Sequence, residues 1–165
     1  MPADNSLVIN SAGPFETQKI GRIIGWLAEP GDIVLLAGAL GAGKTCLTQG
    51  IAAGLGIDEN PVSPTFVLMR QYRGRLPLYH VDLYRLEFAE IADLGLDEYL
   101  NGDGVCAVEW AEKAMAMMPF EHLRIELEYL EGQNRRVTLL PCGARYHHLA
   151  EGFTKLWFPA GEGEA

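Results

Sequence analysis

Ile33-Val34-Leu35-Leu36-Ala37-Gly38-Ala39-Leu40-Gly41-Ala42-Gly43-Lys44-Thr45 is the stretch on which the reading of the fold turns. Its first five residues are a continuous apolar run, the pattern of a strand buried on both faces. The next eight fit G-x-x-x-x-G-K-[ST], and a helical pattern follows through Leu55, stopped by Gly54 and Gly56. Strand, glycine-rich turn and helix in that order predict a phosphate-binding loop. Gly41 and Gly43 let the backbone turn so that main-chain N–H groups from residues 41 to 45, that of Ala42 included, aim inward as a nest for phosphate oxygens. The helix adds the positive end of its dipole. Lys44 is placed to bridge the β- and γ-phosphates, and the Thr45 hydroxyl to ligate magnesium. Cys46, on the first helical turn, joins this set by position, while its thiol reads as a small packed group.

The flanking sequence extends the pattern in both directions. Leu7 to Asn10 reads as a first strand, and Ile20, Ile23, Ile24 and Leu27 recur at helical spacing between Glu16 and Ala28. Beyond the loop, Phe66 to Tyr72 and Leu78 to Tyr84 read as strands joined by a turn near Arg73-Gly74-Arg75. Glu87 to Leu100 reads as helical with a break at Gly95, and Val105 to Val108 as another buried strand. Leu123 to Tyr129 and Arg136 to Leu140 flank Glu131-Gly132-Gln133-Asn134 as a hairpin, and a short helix is expected around His147 to Phe153. The expected fold is therefore α/β: a three-layer P-loop nucleotidase with a mixed, mostly parallel sheet and a C-terminal hairpin. Residues 1–150 are expected to form one domain, and 151–165 a partly flexible tail.

Composition excludes several classes. The chain has 165 residues, enough for one sizeable core, and is 48% hydrophobic and 21% charged, as in ordinary soluble proteins. Ile33 to Leu40, its most apolar stretch, is far shorter than the roughly 20 residues a bilayer requires. The Met-Pro-Ala-Asp-Asn start lacks the basic and apolar parts of a secretory leader. Cys46, Cys106 and Cys142 are odd in number and form no CxxC, which points to reduced thiols and a cytoplasmic location. With 13 Lys plus Arg against 22 Asp plus Glu the net charge is −9, poorly suited to gripping a nucleic acid unaided. Arg70, Arg73, Arg75 and Arg85 run against that trend, either as a solvated strand face or as a basic patch for phosphate or an acidic partner.

Two acids end apolar strands: Asp82 after Leu78-Tyr79-His80-Val81, and Glu109 after Val105-Cys106-Ala107-Val108. Ligands of open α/β sheets collect at the carboxyl ends of strands, so both acids are candidates to hold magnesium or orient an attacking water. No N-K-x-D is present and no D-x-x-G follows the loop, which favours ATP over GTP. His80, inside a strand, reads first as a packed histidine. His147 and His148 lack a third ligand nearby and read as a solvated pair.

Five blocks in order resemble the bacterial TsaE (YjeE) ATPases of tRNA threonylcarbamoyladenosine biosynthesis. They are Thr17-Gln18-Lys19-Ile20-Gly21, the loop Leu40 to Thr45, Ser63-Pro64-Thr65-Phe66, Tyr79-His80-Val81-Asp82-Leu83-Tyr84-Arg85, and Val108-Glu109-Trp110. The resemblance implies a magnesium-dependent ATPase, weak alone, that acts with a TsaB–TsaD complex and meets tRNA only indirectly. It implies Glu109 as the magnesium-side acid beside Thr45, Asp82 as the acid needed for hydrolysis, and Trp110 beside the nucleotide. Ser63, Pro64, Thr65 and Phe66 resemble a switch-like loop that senses the γ-phosphate. Thr17 and Arg136 would approach the adenosine. Two departures from the family pattern are Ala39, where an acid is usual, and Cys46, where a second threonine is common. Two other classes fit the same loop: a small-molecule kinase, with Arg135-Arg136 imitating a lid, and a nucleotide-gated adaptor that does not hydrolyse.

Overall fold

The computed structural model describes residues 5–62 and 68–159. Ser63, Pro64, Thr65 and Phe66 therefore lie outside the described residues. The elements run β1 (Leu7–Ser11), α1 (Pro14–Leu27), β2 (Ile33–Gly38), α2 (Lys44–Gly54), β3 (Met69–Tyr72), β4 (Leu78–Asp82), α3 (Phe88–Ala92) and α4 (Asp97–Leu100). They continue with β5 (Val105–Glu109), a 3-10 stretch (Ala111–Met117), β6 (His122–Tyr129), β7 (Arg135–Cys142) and α5 (Ala144–Trp157). The described strands form one seven-stranded sheet in the order β1-β7-β6-β2-β5-β4-β3. Its centre is parallel, with β2 between β5 and β6 and β4 beyond β5. The flanks are antiparallel: β3 on β4, and β7 and β1 on β6. This is the expected α/β architecture with a mixed sheet, and the β6–β7 hairpin falls where its turn residues predict.

The strands are apolar because both faces are covered. One core joins Val34, Leu36, Leu78 and Ala107 to α1, α2 and α5; the other packs Leu35, Val81 and Val108 against α3, α4 and the 3-10 stretch. Some boundaries differ from the sequence reading. The helical stretch from Glu87 to Leu100 is broken as expected at Gly95, whose φ is +71°, and each of its two helices is short. The last helix runs past His147–Phe153 to cover Ala144–Trp157, because Tyr146, Leu149 and Phe153 form a buried stripe at helical spacing. No helix among the described residues is long and apolar enough to cross a membrane.

The closest helix pairing sets the height of the phosphate loop. Gly21 and Gly25 of α1 face Gly50 and Gly54 of α2, and a Cβ on any of the four would strike main-chain atoms of the other helix. The Gln18 and Gln49 side chains bridge the same seam at 3.0 Å. The far end of α1 is closed by cations from elsewhere in the chain. Arg75 donates to the Gly25 and Ala28 carbonyls at 2.9 and 3.1 Å, and Arg145 to Leu27 O at 2.8 Å while pairing with Asp32. Arg75 thus has a structural use that neither reading of the arginine cluster anticipated.

Gly50→Ala tests the crossing. Added to an ordinary helix interior, the methyl would raise helix propensity by roughly 0.5–1 kcal/mol. Here it meets the Gln18 carbonyl, and the expected outcome is net destabilisation by about 1–3 kcal/mol. A urea midpoint equal to or above that of the wild type would contradict the backbone-to-backbone packing.

Candidate functional site

The carboxyl ends of β2, β5 and β4 lie side by side. Leu36 pairs with Glu109 and Glu109 with Asp82, so the two strand-end acids are immediate neighbours beside the loop that leaves β2. Together with the loop and the first turn of α2 they line a cleft of about 450 Å³, completed by Leu40, Leu68, Tyr84, Arg85 and Trp110. The loop needs its glycines. Gly41 (φ +78°) and Gly43 (φ +110°) sit in backbone regions that side chains disfavour, and Gly43 is the residue from which α2 springs.

Lys44 is buried, 4% exposed. Its ammonium donates to the carbonyls of Gly38 (2.6 Å) and Ala39 (2.9 Å) and lies 4.0 Å from the centre of the Trp110 ring. Burial pushes its pKa below the ordinary lysine value, and the nearby charges of Glu109, Glu112 and Asp82 oppose that shift. Trp110 is held at φ 60° and ψ 36°, the one non-glycine residue with positive φ among those described. Such a conformation costs about 1–3 kcal/mol. Tyr84 packs against Trp110 with the rings tilted by 39° and their centres 4.8 Å apart, and Lys113 fixes that corner by donating to Tyr84 O at 2.6 Å.

The Thr45 hydroxyl donates to Glu109 Oε1 at 3.1 Å, bringing together the two residues read as magnesium ligands. Glu109 is itself buried and accepts a second hydrogen bond from His80 Nε2. Asp82 is held differently, its Oδ1 accepting the Tyr84 N–H at 2.9 Å.

A family model described as Threonylcarbamoyl adenosine biosynthesis protein TsaE matches residues 11–137. The chain belongs to the TsaE family. It is 44% identical over 146 residues to the tRNA threonylcarbamoyladenosine biosynthesis protein TsaE of Bacillus subtilis, covering 88% of this chain and 92% of that one. Its counterpart in Treponema pallidum is 46% identical over 125 residues, with 75% and 93% covered. Among solved structures, the crystal structure of Bacillus subtilis YdiB superposes with a TM-score of 0.81 at 39% identity, covering 92% of this chain and 95% of that one.

The other positions expected from the TsaE resemblance divide. Thr17 is buried behind the loop, its hydroxyl bonded to Ser11 Oγ at 2.8 Å and its methyl close behind Gly43. Ala42 is buried and offers only main chain. Cys46 lines the cleft; burial pushes its thiol pKa up, with Arg135 opposing. Ser63 and Thr65 lie outside the described residues. Arg136 points away from the cleft and pairs with Glu128 at 3.3 Å on the hairpin. Its neighbour Arg135 reaches the loop, donating to Ala42 O at 3.2 Å and packing over the Tyr129 ring, whose hydroxyl donates to Gly41 O at 2.7 Å. Strand parity would have found it, since buried Val137 and Leu139 put odd positions of β7 on the helix side.

Tyr129→Phe keeps the ring under Arg135 but deletes the donor to Gly41. Amide exchange at residues 41–44 should quicken by several-fold to about tenfold, the range of one net hydrogen bond. Unchanged protection would show that the hairpin does not brace the loop.

Proposed function

We propose that this chain is a magnesium-dependent ATPase that acts with the TsaB–TsaD complex in threonylcarbamoylation of the adenosine next to the anticodon of tRNA. TsaE-family proteins serve threonylcarbamoyladenosine biosynthesis, and the curated relatives carry that role on tRNA in their names. The finer reading is supported above all by the convergence of Lys44, Thr45, Glu109 and Asp82 on a single cleft.

The donor set fits magnesium. A hydroxyl and a carboxylate are hard oxygen ligands already within hydrogen-bond distance of each other. Among the described residues no group of three or more His, Cys, Asp or Glu could hold a metal by itself. Magnesium commonly takes one or two protein oxygens and completes its shell with phosphates and water, so Thr45 and Glu109 would hold it. Bound there, it would neutralise charge on the β- and γ-phosphate oxygens.

The chain's own groups do the rest. The loop amides and the start of α2 bind phosphate oxygens. Lys44 exchanges the Gly38 and Ala39 carbonyls, its present acceptors, for phosphate oxygens. Asp82, one strand over from Glu109, is positioned to orient water and accept its proton. Trp110 and Tyr84 form an aromatic wall that keeps bulk water from that side. The net charge of −9 is compatible with protein partners doing most of the gripping of tRNA, and the chain's place on this reading is the cytoplasm.

Calorimetric titration with Mg-ATP should give saturable binding, and Lys44→Ala should weaken it at least tenfold through loss of a charged hydrogen-bond donor. Hydrolysis by the wild type should rise on adding the purified TsaB–TsaD pair, with phosphate passing only to water. Hydrolysis that the pair leaves unchanged would overturn the assigned role, and phosphate found on another acceptor would make the chain a kinase.

A further inference from the structure

His80 lies inside β4, where Leu78, His80 and Asp82 alternate onto the α2 side of the sheet. It is completely buried. Across the parallel register it stands beside Ala107, whose small side chain leaves the imidazole free to lean toward Glu109, two residues further along β5. Its Nε2 is bonded to Glu109 Oε2, while its Nδ1 is buried with no hydrogen-bond partner among the described residues. Toward an ionised carboxylate, which only accepts hydrogen bonds, Nε2 is the donor.

As a core residue this histidine is a poor choice. An apolar side chain of similar size would pack in the same place without stranding a ring nitrogen away from water. Its single polar contact is therefore where its use must lie. The two oxygens of Glu109 are held unequally: Oε2 meets the imidazole and, at 3.3 Å, also the Thr45 hydroxyl, whereas Oε1 takes that hydroxyl at 3.1 Å and has no contact with His80. Without His80 the carboxylate could rotate about its own side chain or swing toward the Lys44 ammonium, whose charge it already feels.

We infer that His80 is a positioning residue that pins Oε2 of Glu109 so that Oε1, the oxygen it does not hold, is presented together with the Thr45 hydroxyl to a divalent cation. The inference rests on the magnesium-ATP reading of the cleft and adds a buried support behind its metal side. Partners of this kind fix ligand orientation, and their loss typically lowers metal affinity by about 10–100-fold.

The test measures affinity for a non-hydrolysable ATP analogue as a function of Mg2+ concentration, and again in EDTA. His80→Leu should shift the Mg2+ dependence upward by about 10–100-fold and leave metal-free affinity unmoved. His80→Gln, which can place an amide N–H near the Nε2 position, should return it to within a few-fold of wild type. A folded Leu variant with wild-type Mg2+ dependence would overturn the inference. So would equal losses with and without metal in both variants, since those report a merely structural role. Wild type whose analogue affinity ignores Mg2+ would instead overturn the magnesium reading itself, and this inference with it. If His80→Leu fails to fold, the unaltered chain labelled with 15N-histidine decides. The His80 Nε2–H resonance should move when Mg2+ joins the analogue complex, and a resonance that stays put rejects the role.

Discussion

The contact of α1 with α2 through Gly21, Gly25, Gly50 and Gly54 is the constraint on which the geometry of the site depends. Two helices whose backbones touch have little freedom to slide, because every shift drives a main-chain carbonyl into a neighbour. α1 is itself anchored at its far end by Arg75 and Arg145. The start of α2 is therefore held at one level relative to the sheet, and that level places Thr45 against Glu109 at the end of β5. The phosphate loop has to cover the gap between the end of β2 and the start of α2, and its two left-handed glycines make the turn possible.

The described site is closed upon itself. Lys44 donates to its own loop, Thr45 to Glu109, and Tyr129 to the Gly41 carbonyl, while Trp110 covers the ammonium in a strained backbone conformation. Burial lowers the Lys44 pKa, yet three carboxylates nearby favour the charged form. The result is a buried ammonium bonded to the loop carbonyls and shielded from water.

How much of this could be read from the sequence depended on whether a residue's partner was local. The glycine-rich turn from β2 into α2 was legible because glycine, lysine and threonine act on their immediate surroundings. Glu109 and Asp82 were legible as candidates because an acid ending an apolar strand must lie at the sheet's carboxyl edge. Arg135 and Tyr129 were not, since their contacts at Ala42 and Gly41 depend on the β6–β7 register and on the hairpin reaching over the loop. Strand parity separates Arg135, on the loop side, from Arg136, which pairs with Glu128 on the hairpin. Arg75 looked like surface charge because nothing in the sequence shows a helix end 50 residues upstream coming to rest beside it. His80 was recognised as a packed histidine, but its bond to Glu109 runs diagonally between two strands.

These partnerships also bear on the energetics of binding. A buried ammonium or carboxylate without partners is costly, so an empty phosphate site built from such groups would tend to distort or fill with water. Here the groups that a triphosphate would require already satisfy one another, and binding becomes an exchange of hydrogen bonds rather than their creation. Exchange contributes only modest net energy per bond, typically about 0.5–1.5 kcal/mol, with more where charge is involved. Affinity would then come mainly from the charged contacts of Lys44 and from the metal side, where Thr45 must release Glu109 for the cation to enter. On the proposed reading Glu109 has to exchange the Thr45 hydroxyl for the cation, and the residue that holds this carboxylate from behind, rather than any at the cleft rim, would then set how firmly the cation is held.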